Sequence, residues 1–221
     1  MIQKQNKKYA ALALLEFDTV ASGILASDLM VKRSPIALLR CGTVHPGRFL
    51  ILVGGSVAST EEAHQIGMKL GDIEHTLTGS VFLGDVHPML HDAVLGTRLA
   101  IHGEALAVVE TRSSPALLAA VDAAVKSTPV TLAEVRLADD LGGHAIALMS
   151  GDLTDADTAL AICAERAGDQ LLARSILPRP NLTAGRTVFN YSGEVTGTSN
   201  GNAPNVLASS YNIRAEVEIP E

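Results

Sequence analysis

The amino-acid sequence predicts an α+β protein made of two tandem units with the same β-α-β-β-α-β element order. Residues 11–38 return without a gap as residues 105–132, and 10 of the 28 aligned positions are identical, where ordinary composition gives about two or three. Such a repeat indicates two homologous units. The apolar content of 47% includes only 3% aromatic residues. Small aliphatic side chains must therefore fill the two cores.

The first strand and helix of each unit follow from their apolar periodicity. The short apolar run Ala10–Phe17 is typical of a buried strand. A helix is predicted over residues 20–33 and ends before Pro35, and its apolar or small positions are Ala21, Ile24, Leu25, Leu29 and Val31. In the second copy, Ser114 is placed to cap a helix that Pro115 starts. The buried stripe predicted for this helix comprises Leu117, Leu118, Val121, Ala124 and Val125.

Two strands joined by a turn are expected next in each unit. The predicted strands cover residues 36–41 and 48–53 in the first unit, and residues 130–137 and 144–149 in the second. Glycine and proline mark the joins, residues 42–47 and 138–143, as turns. From the equivalent of Leu38 to the equivalent of Gly55, the second unit is longer by two residues, which keeps Gly55 aligned with Gly151.

A second helix and a last strand complete each unit. The patterns Ser59–Glu62 and Thr154–Asp157 resemble capping boxes, in which a short hydroxyl side chain and an acid satisfy free amides at a helix start. Gly71 and Gly168 suit the left-handed helix end. The last strands are predicted at residues 80–83 and 171–176. The result is a ferredoxin-like unit with helices on one face of an antiparallel sheet.

The segments outside the units are less regular. Residues 1–8 are polar and are predicted to be frayed, and residues 84–104 form a linker with one short helix. The tail from Asn190 to Glu221 contains an alternating pattern over Tyr211–Ile219 that favours a strand. A cargo contact and a disordered extension are the alternatives for this tail.

Charge and cysteine content exclude several classes of function. A net charge of −7 and a pI near 5.5 argue against nucleic-acid binding, which needs a basic surface to neutralise phosphates. The two cysteines are too few for a disulfide framework, so a reducing cytosol is the simple interpretation. No apolar run has the length that a signal peptide or a membrane span requires.

These patterns together resemble a known family. The shared residues are Glu16 in the first strand, Ser27–Lys32 in the helix, Gly54-Gly55 after the paired strands, and their second copies. With Val86-His87-Pro88 and Ile176–Pro180 they resemble the bacterial microcompartment shell domain, from Tyr9 to Phe189. Two copies in direct, non-permuted order resemble the tandem-domain, trimeric (T-type) shell proteins, notably those of propanediol-utilisation compartments. The implied domains are residues 9–95 and 104–189, with residues 190–221 as an extension.

The resemblance implies an assembly and a function. Members of this class form homotrimers whose six domains mimic a hexamer, tile with other shell proteins into the shell of a cytoplasmic microcompartment, and surround a central pore for small metabolites. We therefore expect a structural protein and no enzyme. The alternatives are a trimeric ferredoxin-like sensor that binds an effector between its domains, and an α+β enzyme, for which no buried acid or base is marked out by sequence.

The turns between the second and third strands are the pore-lining segments that this resemblance implies. Their residues are His45, Pro46 and Gly47 in the first domain, and Asp139, Asp140, Leu141, Gly142 and Gly143 in the second. Rings of carboxylates from Asp139 and Asp140 would favour cations, whereas the alternative is that both point into bulk solvent. His45 near these carboxylates would titrate and tune the pore.

Edge contacts between oligomers are implied by Lys32, Lys126 and Arg179. The two lysines share one helix position, and Arg179 lies in the Pro-Arg-Pro context of the family's edge arginine. An ordinary solvated lysine at a helix end is the alternative. The first domain has Asp85-Val86-His87-Pro88 at the place of the arginine motif, so its edge contact departs from the family pattern.

No cofactor is expected. In related proteins a cysteine at the pore turn holds an iron–sulfur cluster, but this chain has His45 there, with Cys41 earlier on the strand. Thiolates are the usual ligands of such clusters, so we expect none. Three imidazoles on the trimer axis would be a possible metal site, and a pore-lining histidine without a metal is the favoured interpretation. For His87 and His91, a surface pair is favoured over a chelating pair.

Overall fold

The computed structural model describes residues 9–138 and 141–180. The first repeat contains β1 Ala11–Phe17, α1 Val20–Arg33, β2 Ala37–Val44, β3 Arg48–Gly55, α2 Val57–Glu74 and β4 Leu77–Leu83. The short helix α3, Pro88–Val94, follows it. The second repeat contains β5 Ala105–Thr111, α4 Ser114–Ser127, β6 Thr131–Leu137, β7 Ala145–Gly151, α5 Leu153–Ala167 and β8 Leu171–Pro178, with a single 3₁₀ turn before β8.

Each repeat forms a four-stranded antiparallel sheet, and the two sheets have the same topology. Their strand orders are β2-β3-β1-β4 and β6-β7-β5-β8. The predicted α+β architecture, with two tandem β-α-β-β-α-β domains in direct order, is therefore confirmed. The predicted short helix in the linker is also present, as α3.

The two sheets also share an irregularity in their strand pairing. The β1–β4 register shifts between Glu16 and Phe17, and the β5–β8 register shifts at the equivalent pair, Glu110 and Thr111. Ala11 pairs with Gly55, and its equivalent Ala105 pairs with Gly151, the equivalent of Gly55. Positions in the two domains can therefore be compared residue by residue.

Close packing of helices against sheets depends on residues without large side chains. A methyl group placed on Gly67 of α2 would lie 2.6 Å from Leu15 Cδ2. A methyl group on Gly23 of α1 would overlap the ring of Phe49. The small aliphatic core predicted from composition is present, because alanine, valine, leucine and isoleucine form most of the buried set.

The starts of the second helices were predicted three residues too late in the first repeat and two too late in the second. Ser56 caps α2 and accepts a hydrogen bond from the Ser59 N–H at 3.2 Å, so Ser59 lies inside the helix. Likewise Asp152 precedes α5, and the pattern at Thr154–Asp157 lies within it. The predicted capping boxes are wrong because another short polar side chain stands three residues earlier in the first repeat and two residues earlier in the second.

The ends of these helices differ from each other. Gly168 follows α5 with a φ of +54°, as predicted. Gly71 does not end α2, which continues to Glu74 and closes at His75 with a φ of +55°. Gly71 is instead a site of close approach, since a methyl group there would lie 2.7 Å from Leu77 Cβ.

The first turn is shorter than predicted. Strand β2 continues to Val44, so only residues 45–47 form the turn, and Cys41 lies on the strand as expected. The frayed segment 1–8 and the strand predicted at Tyr211–Ile219 lie outside the described residues. Within residues 9–138 and 141–180, no helix has the length and apolar character needed to cross a bilayer.

Candidate functional site

The two predicted pore turns lie in contact with each other. The exposed turn His45–Gly47 is closed by a 3.1 Å hydrogen bond from the Gly47 N–H to the Val44 carbonyl. Gly143 of the second turn packs against it, because a methyl group on Gly143 would lie 3.0 Å from Pro46 Cδ. One chain therefore brings both turns to a single place.

The second turn is described only in part. Leu141 accepts a 3.0 Å hydrogen bond from the His144 N–H through its carbonyl, and Gly142 and Gly143 have φ values of +62° and +86°. A positive φ suits glycine, which lacks a Cβ. Asp139 and Asp140 lie outside the described residues.

A buried carboxylate joins the turn region of the two domains. Glu16 is fully buried, and its Oε1 accepts a hydrogen bond from Arg48 Nη1 at 2.6 Å. Its Oε2 accepts the backbone N–H of Ser114 at 3.0 Å. Ser114 begins α4 of the other domain, so Glu16 satisfies a free amide at a helix start, where negative charge is favoured. The predicted cap at Ser114 is wrong: Ser113 is the capping residue and its side chain makes no cap bond.

Arg48 extends this junction. Its Nη1 also approaches the carbonyl oxygens of Arg112, at 3.3 Å, and Gly143, at 3.4 Å. Sequence reasoning did not assign a role to this arginine or to Glu16. The available signal was the identity of Glu16 and Glu110 in two otherwise apolar strands.

Helix α4 packs against β1 and β4 of the first domain as well as against its own sheet. Its predicted stripe is buried throughout, and one apolar cluster contains residues of both domains. At the far end of α4, Asp122 accepts the His87 N–H at 2.9 Å. Lys126 binds Asp122 at 2.6 Å and donates to the Asp85 carbonyl. The two domains thus share a continuous junction.

No residue within 9–138 and 141–180 covers the equivalent helix α1 in this way. We define the α1 face as the residues equivalent to Pro115, Leu118, Asp122 and Val125 of α4, namely Ala21, Ile24, Asp28 and Val31. Ile24 and Val31 are 55% and 47% exposed, whereas Leu118 and Val125 are 1% and 4% exposed. The helix predicted over residues 20–33 is confirmed, but the apolar positions that indicated it are not the buried ones, which are Ser22, Gly23, Ala26 and Met30.

The sheets show the same asymmetry. Leu83 packs against the shared cluster beside β1, whereas its equivalent Leu177, in the same register against β5, is 41% exposed. Glu16 is fully buried, whereas the Glu110 side chain is 34% exposed. The described part of the chain therefore leaves open one sheet face on the second domain and one helix face on the first.

The two predicted edge lysines occupy unequal environments. Lys32 is 67% exposed and pairs with Asp28 at 2.6 Å, whereas Lys126 is 37% exposed and lies in the domain junction. Arg179 follows β8, is exposed, and has a φ of +49°. The structure does not bring Lys32 and Lys126 together, because they lie at equivalent ends of separate helices.

The two linker histidines have structural roles. His87 precedes α3, and its Nδ1 accepts the Met89 N–H at 3.3 Å. His91 is 1% exposed, accepts the Tyr9 N–H on Nε2 at 3.1 Å, and has Asp92 Oδ1 2.9 Å from Nδ1. The predicted surface pair is therefore wrong for His91. Among residues 9–138 and 141–180, no three His, Cys, Asp or Glu side chains are grouped to hold a metal.

Burial is the first cause of the pKa shifts of Cys163, Cys41, His64 and Glu134. Burial raises the pKa of Cys163 to about 12, and it raises the pKa of Cys41 against a hydrogen bond from Ser27. The pKa of His64 is lowered by burial, with an opposing effect of Glu61. The pKa of Glu134 is raised by burial, although Arg98 and Arg136 oppose the shift.

Comparison with known proteins gives consistent matches over both domains. A model described as the BMC domain matches residues 11–85 and 105–180. The chain is 35% identical over 174 residues to bacterial microcompartment shell protein PduT of Citrobacter freundii, covering 77% of this chain and 93% of that protein. It is 25% identical over 193 residues to carboxysome assembly protein CcmO of Synechocystis, covering 80% of this chain and 64% of CcmO.

A solved structure agrees with these matches. A microcompartment protein from Desulfitobacterium hafniense DCB superposes with a TM-score of 0.71 at 28% identity, covering 80% of this chain and 98% of that one. The resemblance inferred from the repeat, Glu16 and the glycine pairs is thereby confirmed. With both halves matched by the domain model, the chain belongs to the BMC domain family.

Proposed function

We propose that this chain is a structural protein of a bacterial microcompartment shell and resides in that shell. Its 35% identity to a shell protein over most of both chains supports this function. The relatives described above are shell or assembly proteins, so the alternative of a small-molecule sensor has no support. We also propose that the chain catalyses no reaction and holds no resident cofactor, since its fold elements serve domain contacts.

The proposed assembly is a closed homotrimer. The observation that carries it is the unequal burial of equivalent helix faces: α4 is covered by the first domain, whereas the α1 face is open. The sheet face around Leu177 is the equivalent of the surface that covers α4. Head-to-tail contact between the open sheet face of one copy and the α1 face of the next would close into a ring if the rotation permits. Three chains would present six similar domains.

A central pore for small metabolites is the proposed role of the paired turns. In the trimer they would meet at the axis, lined by His45, Pro46, Gly47, Leu141, Gly142 and Gly143, with Asp139 and Asp140 on the same turn. The contact between Gly143 and Pro46 supports this arrangement. The edge role of Lys32, Lys126 and Arg179 toward other shell proteins remains a proposal, as do the domain bounds 9–95 and 104–189 with the extension 190–221.

Electron microscopy combined with native mass spectrometry tests this function. We expect trimeric rings that associate into flat layers. Ile24→Glu places a charge on the α1 face and should shift the mass toward the single chain. Ile73→Glu is the matched control, because Ile73 is 66% exposed on α2 and lies outside the α1 face. A wild-type chain that stays monomeric at all concentrations would refute the assembly.

A further inference from the structure

The pair formed by Glu110 and His144 is the second copy of the Glu16–Arg48 pair. Glu110 and Glu16 lie at the same register shift of β5 and β1. Arg48 lies seven residues before Gly55, which pairs with Ala11, and His144 lies seven residues before Gly151, which pairs with Ala105. His144 Nδ1 is 3.1 Å from Glu110 Oε1, and the His144 side chain is 38% exposed.

The Glu16–Arg48 pair makes contacts between the two domains of the chain. Glu16 accepts the amide of Ser114, the first residue of α4, and Arg48 reaches the carbonyl oxygens of Arg112 and Gly143. The pair therefore connects the first sheet to the start of a helix in the other domain. The second pair has no such helix start against it within residues 9–138 and 141–180.

The surface that this second pair requires exists on the first domain. The repeat makes Val20 the equivalent of Ser114, Asp18 the equivalent of Arg112, and Gly47 the equivalent of Gly143. Val20 begins α1, and no described residue accepts its N–H. The Asp18 N–H donates to the Thr76 carbonyl at 2.9 Å, and the Arg112 N–H donates to the Gln170 carbonyl at the same distance.

We propose that the Glu110 carboxylate of one copy accepts the Val20 N–H of the next copy, while His144 lies against the backbone of Asp18 and Gly47. The occupant of this surface is a second copy of the chain. A second copy is supported by the contact inside the chain, in which the sheet face of the first domain binds the start of α4. The sheet face of the second domain and the start of α1 are the equivalent surfaces. This inference rests on the proposed head-to-tail trimer and specifies the residues of its contact between copies.

The second domain has His144 where the first domain has Arg48, and this difference gives the contact between copies a pH dependence. Arginine is charged at every physiological pH, whereas imidazole gains its charge on passing from about pH 8 to pH 5. Contacts inside the chain therefore keep their ion pair at neutral pH, and contacts between copies strengthen as His144 becomes protonated.

Charged groups of both signs lie near this contact, since Arg48 of the same chain reaches the carbonyl of Gly143, next to His144, at 3.4 Å. Asp18 of the next copy stands where the internal contact has Arg112, so a negative side chain replaces a positive one beside the imidazole. The remaining titratable groups on the facing elements are His45 in the turn, and Glu74 and His75 at the end of α2; Glu74 is bound to Ser22 Oγ at 2.5 Å. Asp139 and Asp140 lie outside the described residues.

Subunit exchange measures this contact directly. Isotope-labelled and unlabelled wild-type assemblies are mixed at pH 6 and pH 8, and mixed trimers are followed by native mass spectrometry. We expect exchange to be about ten-fold faster at pH 8, the change that one carboxylate beside one imidazole can produce. His144→Arg should slow exchange at pH 8 and remove the pH dependence, and Glu110→Gln should accelerate exchange at both pH values.

The control is His102→Gln, because His102 is an exposed linker residue outside the contact and should leave the wild-type profile unchanged. Trimers of His144→Arg whose exchange keeps the wild-type pH dependence would overturn this inference and leave the proposed function intact. A wild-type chain that forms no trimer at either pH would overturn both.

Discussion

Glu16 and Ser114 are 98 positions apart in the chain, yet a side-chain oxygen of the first accepts the backbone amide of the second at 3.0 Å. The carboxylate is fully buried and is balanced by Arg48 at 2.6 Å. One acidic side chain therefore links a strand of the first domain to the first amide of a helix in the second.

Replacement of Glu16 should destabilise the folded chain strongly. Glu16→Ala leaves Arg48 without its counter-ion and the Ser114 amide without an acceptor, and removal of one partner of a buried pair costs about 3 to 5 kcal/mol. Urea unfolding measures the loss. Glu104→Ala, at an exposed position before β5, should change the free energy of unfolding by less than about 0.5 kcal/mol. A loss of similar size in both variants would contradict the assigned role of Glu16.

Gly23→Ala should be destabilising although alanine is the better helix former. The new Cβ would lie 2.3 Å from Phe49 Cδ1 and 2.5 Å from Cγ, and overpacking costs about 1 to 3 kcal/mol, against a gain in helix propensity of about 1 kcal/mol.

Gly42→Ala is the matched control, because no atom lies within 4 Å of its added Cβ. Its thermal midpoint should stay at or slightly above the wild-type value, while that of Gly23→Ala falls. A raised midpoint for Gly23→Ala would show that α1 can move away from the sheet at little cost.

The two cysteines should differ in reactivity. Burial raises the pKa of Cys163 to about 12, so this thiol is almost entirely protonated at pH 8, and only the thiolate is nucleophilic. Cys41 is exposed, although partial burial raises its pKa. Iodoacetamide at pH 8 should modify Cys41 first, and Cys163 only in urea, as read by peptide mass spectrometry. Rapid labelling of Cys163 in the native protein would contradict its burial in α5.

Stability should fall on acidification because of His64. Its pKa is lowered by burial, its Nε2 is buried without a hydrogen-bond partner, and its ring stacks on Phe82 at a centroid distance of 6.0 Å. The unfolded chain binds the proton more readily, so the free energy of unfolding decreases as pH falls through the ordinary histidine range and levels off below the lowered native value.

His64→Phe should flatten this pH dependence in urea titrations between pH 5 and 8, the interval in which histidine ordinarily titrates. The exposed His102→Gln should retain the wild-type curve. An unchanged slope in His64→Phe would assign the acid sensitivity to another group.

The sequence predicts this fold well where the signal is local or repeated. The 94-residue offset between Ala11 and Ala105 was sufficient to predict two domains, their element order and the stripe of α4. The apolar pattern of α1 predicted the helix but not its buried face: Ile24 and Val31 are apolar but face away from their own domain, and the equivalent face of α4 is buried by a neighbouring domain. Periodicity identifies apolar positions but not the surface that covers them.

The candidate site was predictable in part. The two turns were located because glycine and proline punctuate them, and their mutual contact through Pro46 and Gly143 follows from the fold. That these turns line a pore stays a prediction. The Glu16–Arg48 pair required the three-dimensional structure, since 32 residues separate its members and the family resemblance of Glu16 does not indicate its partner. Helix starts at Ser56 and Asp152 were missed because several short polar residues compete for the cap.

The duplicated register has an evolutionary consequence. In a ring of six identical domains, every mutation recurs six times, so a change that improves one contact is imposed on all the others. Here the position occupied by arginine in one half is histidine in the other, and each half can drift under its own selection. In the proposed trimer, fusion of two domains into one polypeptide thus halves the copy number of each new side chain. Two different kinds of contact between domains can therefore evolve within one ring.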